Sequence, residues 1–201
     1  FPLAVILLFL APFSQAGILL DKSIIDFPSN QPPRPDVSVS NQSNEIAYVQ
    51  VSVLKVTNPG TEQEQRIPIT DQEEIDCIAS PSKLAIPPKG RRQIRLVSLN
   101  RGDKEQVYRV NFKPVLPPLQ DDSEGMGVRV VIAYQVLSLI HPLEPKENLI
   151  IEREGNRVRF RNEGNTYALI TDITQCNKDG SDCKNDLGAK RLYAGNIFEV
   201  D

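Results

Sequence analysis

The chain offers few residues that could perform acid–base or nucleophilic chemistry. His141 is its only histidine, and it contains no tryptophan. A serine or cysteine nucleophile needs a positioned base, and His141 alone would have to supply it. This residue opens segment 141–145 (HPLEP), which is typical of a short, stiff linker and is a poor place for a catalytic base. We therefore predict that the chain is not an enzyme and has no cofactor.

The cysteines indicate a disulfide rather than a metal site. Cys176 and Cys183 flank the polar, turn-forming hexapeptide NKDGSD, as expected for a disulfide that closes a hairpin or loop. Two cysteines with no nearby histidine make a poor zinc site, so we predict no metal. Cys77 is left over, and we expect it to be a buried free thiol because no base accompanies it.

Charge argues against nucleic acid as a partner. The net charge is −3, so the surface as a whole does not favour a polyanion. The basic cluster of Lys89, Arg91, Arg92 and Arg95 could bind phosphate, but it lacks the interleaved aromatic side chains on which single strands stack. We predict neither a nucleic-acid partner nor a small-molecule substrate.

The segment 126–142, MGVRVVIAYQVLSLIHP, is apolar on both faces if it forms a strand. Its β-branched residues disfavour a helix, and it is too short for a membrane span. One face carries Val128, Val130, Ile132, Tyr134 and Val136, and the other carries Arg129, Val131, Ala133, Gln135 and Leu137, so nearly both faces are apolar. Such a strand must be covered on both sides. If its own domain covers only one face, a partner must cover the other.

Short segments with strand character follow one another along the rest of the chain, separated by turn residues. The other predicted strands are 18–27, 37–39, 47–56, 65–69, 75–80, 83–86, 91–97, 105–115, 149–152, 157–161, 167–174, 191–193 and 197–200. This spacing is typical of antiparallel sandwiches of the immunoglobulin type. We predict an all-β protein with two immunoglobulin-like β-sandwich domains.

The predicted first domain spans residues 17–141, and the predicted second domain spans residues 142–201. A complete sandwich has ~7 strands, so we expect the second domain to be incomplete. Residues 1–16, FPLAVILLFLAPFSQA, resemble the apolar region and cleavage site of a secretory signal peptide that is trimmed at its start. We therefore expect export to an oxidising compartment.

Several segments, in this order and spacing, resemble the periplasmic chaperones of the chaperone-usher pathway of pilus assembly. They are PPKGRRQIRL, then VYRVNFKPVLPP, then the long strand that ends at Pro142. The segment GNTYALITDITQC and the following Cys183 are similar to the alternative branch of that family, the colonisation-factor or common-pilus type. The resemblance implies two immunoglobulin-like domains set at an angle.

The resemblance also implies donor-strand complementation. A pilin subunit lacks its last strand, and the chaperone fills the resulting groove with its own long strand, which is a form of β-augmentation. The positions that match the donor residues are Val128, Val130 and Ile132, with Met126 and Tyr134 as extensions. The other interpretation is that these side chains face their own core. We expect Val131, Ala133 and Leu137 to occupy that core instead.

The better-known branch of the family binds the subunit's C-terminal carboxylate with two basic residues in the cleft between its domains. The matching positions here are Ile24 and Leu137, so that pair of cations is absent from these positions. Other basic residues remain as anchor candidates, namely Lys22, Arg91, Arg95, Arg109 and Lys113. The last four occur at strand spacing, so we expect them to converge on one sheet face, although ordinary solvated charges are the other interpretation.

The family also carries a charge cluster between its domains. Its acidic position matches Glu105, and its basic position matches His141. We therefore predict a Glu105–His141 pair that braces the two domains, with an exposed linker histidine as the alternative.

Together these features predict a periplasmic chaperone that binds, folds and caps pilin subunits and delivers them to an outer-membrane usher. Its exposed apolar edge makes self-association in the free state an expectation as well. A structural pilus subunit or adhesin is the first alternative, and a secreted hydrolase on a β-sandwich is the second.

Overall fold

The computed structural model describes residues 17–30, 32, 34–69, 75–116, 131–174, 176–177, 179–183 and 188–200. These residues form strands without a helix, and no helix that could span a membrane occurs among them. The strands are β1 (Ile18–Leu20), β2 (Ile24–Phe27), β3 (Asp36–Asn41), β4 (Ala47–Thr57), β5 (Gln65–Pro68), β6 (Cys77–Ser80), β7 (Lys83–Ile86), β8 (Arg91–Ser98), β9 (Gln106–Val115), β10 (Tyr134–Ile140), β11 (Leu149–Glu154), β12 (Arg157–Asn162), β13 (Ala168–Ile170), β14 (Lys190–Leu192) and β15 (Ile197–Val200).

Strands β1 to β10 form a first unit of two packed sheets. One sheet has four strands in the order β1-β3-β8-β6. The other has six strands in the order β2-β10-β9-β4-β5, with β7 also paired to β4. Strand β10 pairs parallel with β2 and antiparallel with β9. The first unit is thus the sandwich that the strand spacing predicts.

Alternation along the strands builds the core of the first unit. On β3, Val37 and Val39 are fully buried between polar neighbours, as period 2 requires of a half-buried strand. The largest fully buried side chains of this core are Tyr108, Phe27, Phe112, Ile86, Ile94, Leu96, Ile140, Val37, Val39, Val49 and Val110. The first unit therefore has a continuous core of its own, closed between its two sheets.

Strands β11 to β15 form a second, smaller unit. Strand β12 lies between β11 and β15, and β13 pairs with β14. Phe160, Ile170 and Leu192 are its buried core, with Phe160 and Phe198 stacked at 6.0 Å between ring centroids. The second unit therefore buries its own apolar residues, as a separate sandwich would.

Most predicted strands occur within two residues of their predicted bounds, but the extents of predicted strands 18–27 and 167–174 and of the long strand were wrong. The predicted strand 18–27 is interrupted, because residues 21–23 do not continue β1. The long predicted strand begins only at Tyr134 among the described residues, since residues 131–133 are not in a strand. Residues 117–130 lie outside the described part of the chain.

Candidate functional site

The outer face of the six-stranded sheet carries the candidate site. A row of four residues in register crosses it from β4 to β2, through Leu54, Arg109, Leu137 and Ile24. Adjacent strands lie ~4.8 Å apart, so this cross-strand row is a compact arrangement. Leu137 and Ile24 are the positions at which the better-known branch has its two cations. Here Arg109, one strand further along the same row, is the residue that carries a charge.

Strand β10 has one open edge. Its pairing with β2 covers only residues 137–140, and Leu137 N donates to Ser23 O at 3.0 Å. Alternate amides of a strand point to the same edge, so the amide of Gln135 points toward the side on which β2 lies. No described strand lies opposite it there, because β2 begins at the register partner of Leu137. Among the described strands, β9 is therefore the one that pairs with residues 134–136.

The residues just before β10 expose apolar side chains. Val131 is 43% exposed and Ile132 is 57% exposed. The expectation that Val131 and Ala133 occupy the core was wrong, because both are exposed. Three of the predicted donor residues, Met126, Val128 and Val130, lie outside the described residues.

The prediction of which side chains of β10 face the core of the first unit was also wrong. Val136 and Ile140 are buried in the core of the first unit, and Tyr134 packs against that core. Leu137 points to the outer face and is buried there with Leu139. A strand that is apolar on both faces has the same pattern in either phase, so its sequence cannot say which face is inside.

The basic anchor candidates do not converge on one face. Arg91 and Arg95 lie on β8 in the four-stranded sheet, whereas Arg109 and Lys113 lie on β9 in the other sheet. That expected convergence was wrong because spacing within strands does not reveal which sheet a strand joins.

Two of the candidates already have partners in the first sheet. Arg95 donates to both carboxylate oxygens of Asp36, at 2.8 and 2.9 Å, and this pairing lowers the pKa of Asp36. Lys22 Nζ donates to the backbone oxygen of Asp36 at 2.9 Å. Both basic residues therefore help to hold β3.

Arg109 differs from the other candidates because it is half-buried and its Nε is not satisfied. This nitrogen is buried and has no hydrogen-bond partner within the described structure. Lys113 lies four residues after Arg109 on β9 and is exposed. It borders a groove lined by Gln50, Ser52, Asn111, Ala133, Tyr134 and Gln135. Both cations lie on β9, with Lys113 beside the open end of β10 and Arg109 opposite Leu137, where the pairing with β2 begins.

A polar chain crosses the same face, and sequence reasoning missed it. Gln135 donates to Asn111 at 2.7 Å and accepts from Arg66 at 2.6 Å. Arg66 also contacts Glu64, whose pKa is lowered first by the amide of Gly60 and then by Arg66 and Arg109. The sequence carries no signal for this chain of contacts, because its members come from four separate strands and loops.

The Glu105–His141 pair forms at the junction between the two units. His141 Nδ1 lies 3.2 Å from Glu105 Oε2 and 2.9 Å from Thr166 Oγ1, while its Nε2 lies 3.5 Å from Asp26. Thr166 in turn donates to Glu105 Oε2 at 2.9 Å. Hydrogen bonds to Asp26 and then to Glu105 raise the pKa of His141 to about 9, against the effect of burial. We call these four residues the elbow.

Backbone contacts reinforce the elbow. Glu105 N donates to the backbone oxygen of Asn165 at 2.8 Å, and the Asn165 side chain donates to the backbone of Asp103 and of Glu144 at 3.0 Å each. Arg101 donates to three backbone oxygens, including that of His141 at 2.9 Å. Sequence reasoning missed Arg101, Asn165 and Thr166, because each acts through a contact that only the fold creates.

A second set of contacts joins the units beside the cross-strand row. Tyr193 of the second unit packs on apolar residues of the first, and Tyr167 packs against the same group. The buried members of this interface cluster are Val56, Val107, Leu137, Leu139 and Tyr193. Asn196 also donates to the backbone oxygen of Pro59 at 2.7 Å. Leu137 thus packs in a cluster with Tyr193 of the second unit, at the position where the better-known branch has a cation.

The cysteines behave as expected. Cys176 and Cys183 form a disulfide, as predicted. Cys77 is a buried free cysteine, and burial raises the pKa of its thiol to about 12. A thiol held protonated in this way is inert as a nucleophile. Among the described residues, no three His, Cys, Asp or Glu side chains are grouped so that they could hold a metal ion.

Comparison with known proteins identifies the family. Residues 17–146 match the model described as pili and flagellar-assembly chaperone, PapD N-terminal domain. The chain is 30% identical over 180 residues to a CS1 fimbrial protein of Escherichia coli, and the matched region covers 82% of this chain and 72% of that protein.

Solved structures agree with the family match. A chain in a chaperone–tip adhesin complex of CFA/I fimbriae biogenesis is 27% identical, with a TM-score of 0.70 over 92% of this chain and 85% of that one. The class 5 fimbriae chaperone CfaA is 26% identical, with a TM-score of 0.68 over 90% of this chain and 84% of that one. The predicted family and the all-β, two-domain immunoglobulin-like fold are thereby confirmed, and this chain belongs to the pili and flagellar-assembly chaperones.

Proposed function

We propose that this chaperone acts in the periplasm, where it binds, folds and caps pilin subunits by donor-strand complementation and hands them to an outer-membrane usher. No cofactor or catalytic step is needed in this proposal, because strand pairing and apolar burial supply the binding free energy. Membership of the family supports this function and does not favour the alternative of a structural pilus subunit.

The observation that carries the proposal is the open edge of β10. An unpaired edge next to exposed apolar side chains is a template for a strand from another chain. Residues 134–136 offer backbone groups on that edge, and Val131 and Ile132 offer apolar side chains beside it. The same edge is our proposed site of self-association when no pilin is present.

The exposed side chains supply part of the affinity. Complete burial of an aliphatic side chain contributes ~1.5–3 kcal/mol before the cost of association. Ile132 is the described donor candidate with the largest exposed fraction. The donor roles of Met126, Val128 and Val130 remain part of the proposal on the strength of the family resemblance.

Arg109 is the anchor candidate that we propose for the subunit's C-terminal carboxylate. It lies in the cross-strand row beside Leu137 and Ile24, and its Nε lacks a partner within the described structure. A guanidinium recognises a carboxylate through paired hydrogen bonds. Displacement of the cation by one strand therefore preserves the chemistry of the site.

The proposal is tested by co-expression with the major pilin encoded beside this chain, followed by purification through a tag on the chaperone. The wild-type chaperone should copurify the pilin, and Ile132→Asp should lower the yield of complex at least ~10-fold, because a charge would then enter an apolar groove. Ile151→Asp is the matched control, since Ile151 is 60% exposed and lies on β11 of the second unit.

Circular dichroism should show that both variants fold. If the wild-type chaperone fails to copurify the pilin, the proposed function is wrong. If Ile132→Asp and Ile151→Asp copurify equal amounts, the donor role of this segment is wrong.

A further inference from the structure

The side chain of Arg66 reaches across the outer face of the six-stranded sheet to the start of β10. Arg66 lies on β5, and β4 and β9 lie between β5 and β10 in the strand order. Its Nη1 nevertheless donates to Oε1 of Gln135 at 2.6 Å, and Gln135 Nε2 donates to Oδ1 of Asn111 at 2.7 Å. A hydrogen bond between strands that are not neighbours thus ties the start of β10 to β5.

A carboxylate directs the side chain of Arg66. All four residues of β5 are exposed, so packing in a core does not fix this side chain. Its Nε and Nη2 donate to Oε1 of Glu64 at 3.2 and 3.1 Å, which leaves Nη1 for Gln135. A guanidinium paired with a carboxylate through two donors has a fixed direction. Glu64 therefore orients Arg66 toward β10.

The second unit contacts the turn that precedes Glu64. Oε2 of Glu64 accepts from the amide of Gly60 at 2.9 Å. The backbone oxygen of the neighbouring Pro59 accepts from Nδ2 of Asn196 at 2.7 Å. Gly60 itself lies against the ring of Tyr193, from which an added Cβ would be 2.9 Å away. A continuous series of contacts therefore runs from the second unit, through this turn, to the start of β10.

These contacts end where β10 has the least support from its own sheet. Among the described strands, β9 is the one that pairs with residues 134–136, and residues 131–133 before them are not in a strand. The end of a strand tends to open locally when few contacts hold it. Gln135 is exposed, and its side chain is held on the outer face by Arg66 and Asn111.

We infer that Arg66 is a positioning residue, which holds residues 134–136 in strand conformation and makes their order depend on the second unit. This inference deepens the proposed function and rests on it, because the strand held in this way is the one lent to a pilin. An edge that is ordered before binding loses less conformational entropy when a partner strand pairs with it. The contacts at Pro59 and Gly60 therefore favour binding of a subunit that they do not touch.

Amide hydrogen exchange in the free chaperone tests this role. Leu137 N donates toward β2, so the amides of Tyr134, Val136 and Ser138 point to β9. Arg66→Met removes the donors and keeps a long side chain. It should speed exchange at Tyr134 and Val136 ~10-fold and leave Ser138 unchanged, as expected for local loss of a charge-assisted hydrogen bond. Arg66→Lys retains a cationic donor and should restore part of the protection.

Asn196→Ala tests the connection to the second unit. It removes the hydrogen bond to Pro59 and should speed exchange at Tyr134 and Val136 ~3-fold. Added to Arg66→Met, it should have no further effect, because both substitutions interrupt the same series of contacts. Effects that add in the double variant would overturn the claim that the second unit acts through Arg66.

Arg92→Met is the matched control, because Arg92 is an exposed arginine of β8 in the other sheet and its loss changes the net charge equally. Unchanged exchange at Tyr134 in Arg66→Met would overturn the inference. An equal rise at Ser138 would overturn it too, since general destabilisation exposes all of β10.

The yield of copurified pilin is a separate measurement. Arg66→Met should lower this yield ~3-fold, whereas Arg92→Met should leave it unchanged. Faster exchange with an unchanged yield would overturn the role of Arg66 in pilin binding. Absence of any complex with the wild-type chaperone would instead show that the proposed function itself is wrong.

Discussion

The two halves of β10 differ in how fully their edges are paired with other strands and in how deeply their side chains are buried. Residues 137–140 are paired on both edges, with β2 and β9, and Leu137 and Leu139 are buried under Tyr193 of the second unit. Within the described part of the chain, residues 134–136 are paired with β9 alone, and the exposed apolar side chains of Val131 and Ile132 precede them. We call these the closed half and the open half.

Under the proposed function, the two halves of β10 serve different purposes. The closed half fixes the position of β10 and connects the units, so the open half is presented from a rigid base. A donor strand needs this arrangement, because an edge that is ordered before binding loses less conformational entropy on pairing. Three predictions concern the closed half and the contacts that join the two units around it, and the last measurement tests the open half.

The largest effect is expected from Leu139→Ala in the closed half. Leu139 is fully buried, so removing its side chain should lower the free energy of unfolding by about 3 kcal/mol. Ile132→Ala removes an exposed side chain of the same composition and should change that free energy by less than ~0.5 kcal/mol. Urea unfolding of the free chaperone measures both. Similar losses in the two variants would abolish the distinction between the halves.

The next effect concerns pH at the elbow, directly after the closed half. The pKa of His141 is about 9 in the folded protein against 6.5 for an ordinary histidine. Because the folded pKa is the higher one, the stabilisation is complete below about pH 6.5 and is lost as the pH rises toward 9. We expect a contribution on the order of 2 kcal/mol at low pH.

The measurement is the difference in unfolding free energy between the wild type and His141→Gln as a function of pH. His141 is the only histidine, so the variant removes this titration and leaves the other groups in place. The difference should shrink between about pH 6 and about pH 9.5. A difference that stays constant over this range would mean that His141 does not bear a charge in the elbow.

The smallest effect is the expected difference between alanine variants at Gly155 and at Gly60, where the first unit meets Tyr193. Gly60 has φ 73°, and an added Cβ would lie 2.9 Å from the Tyr193 ring. Gly155 has φ 63° but has nothing within 4 Å of such a Cβ. Gly155→Ala should therefore cost ~1 kcal/mol for its backbone alone, and Gly60→Ala should cost ~1 kcal/mol more. Thermal unfolding of both variants gives the comparison, and equal losses would argue against the Tyr193 contact.

Much of the architecture was predictable because alternation and turn residues are local signals. The bounds of β7 and β15 match the predicted strands 83–86 and 197–200, and the Cys176–Cys183 disulfide follows from a short polar loop. The sequence could not show which face of β10 points into the first unit, because Val136 and Leu137 are equally apolar and are buried in different clusters. The local pattern of apolar residues predicts a strand, but it does not predict which face of that strand points to the core.

The site was less accessible to sequence reasoning. Glu105 and His141 lie close together as the family resemblance implied. The roles of Arg101 and Thr166 arise from contacts between residues far apart in the chain. The basic candidates Arg95 and Arg109 look alike in sequence, but one is paired with Asp36 and the other keeps an unsatisfied Nε within the described structure. Pairing of this kind depends on which sheet each strand joins.

Hydrogen exchange at single-residue resolution along β10, with and without bound pilin, tests the central claim most directly. The amides of Gln135, Leu137 and Leu139 point to the same edge, but only the latter two lie within the β2-paired half. We expect the amides of Leu137 and Leu139 to be protected in both states, whereas that of Gln135 should exchange rapidly in the free chaperone and become protected in the complex. A Gln135 amide that exchanges at the same rate in both states would contradict the claim that β10 lends its open half to a pilin.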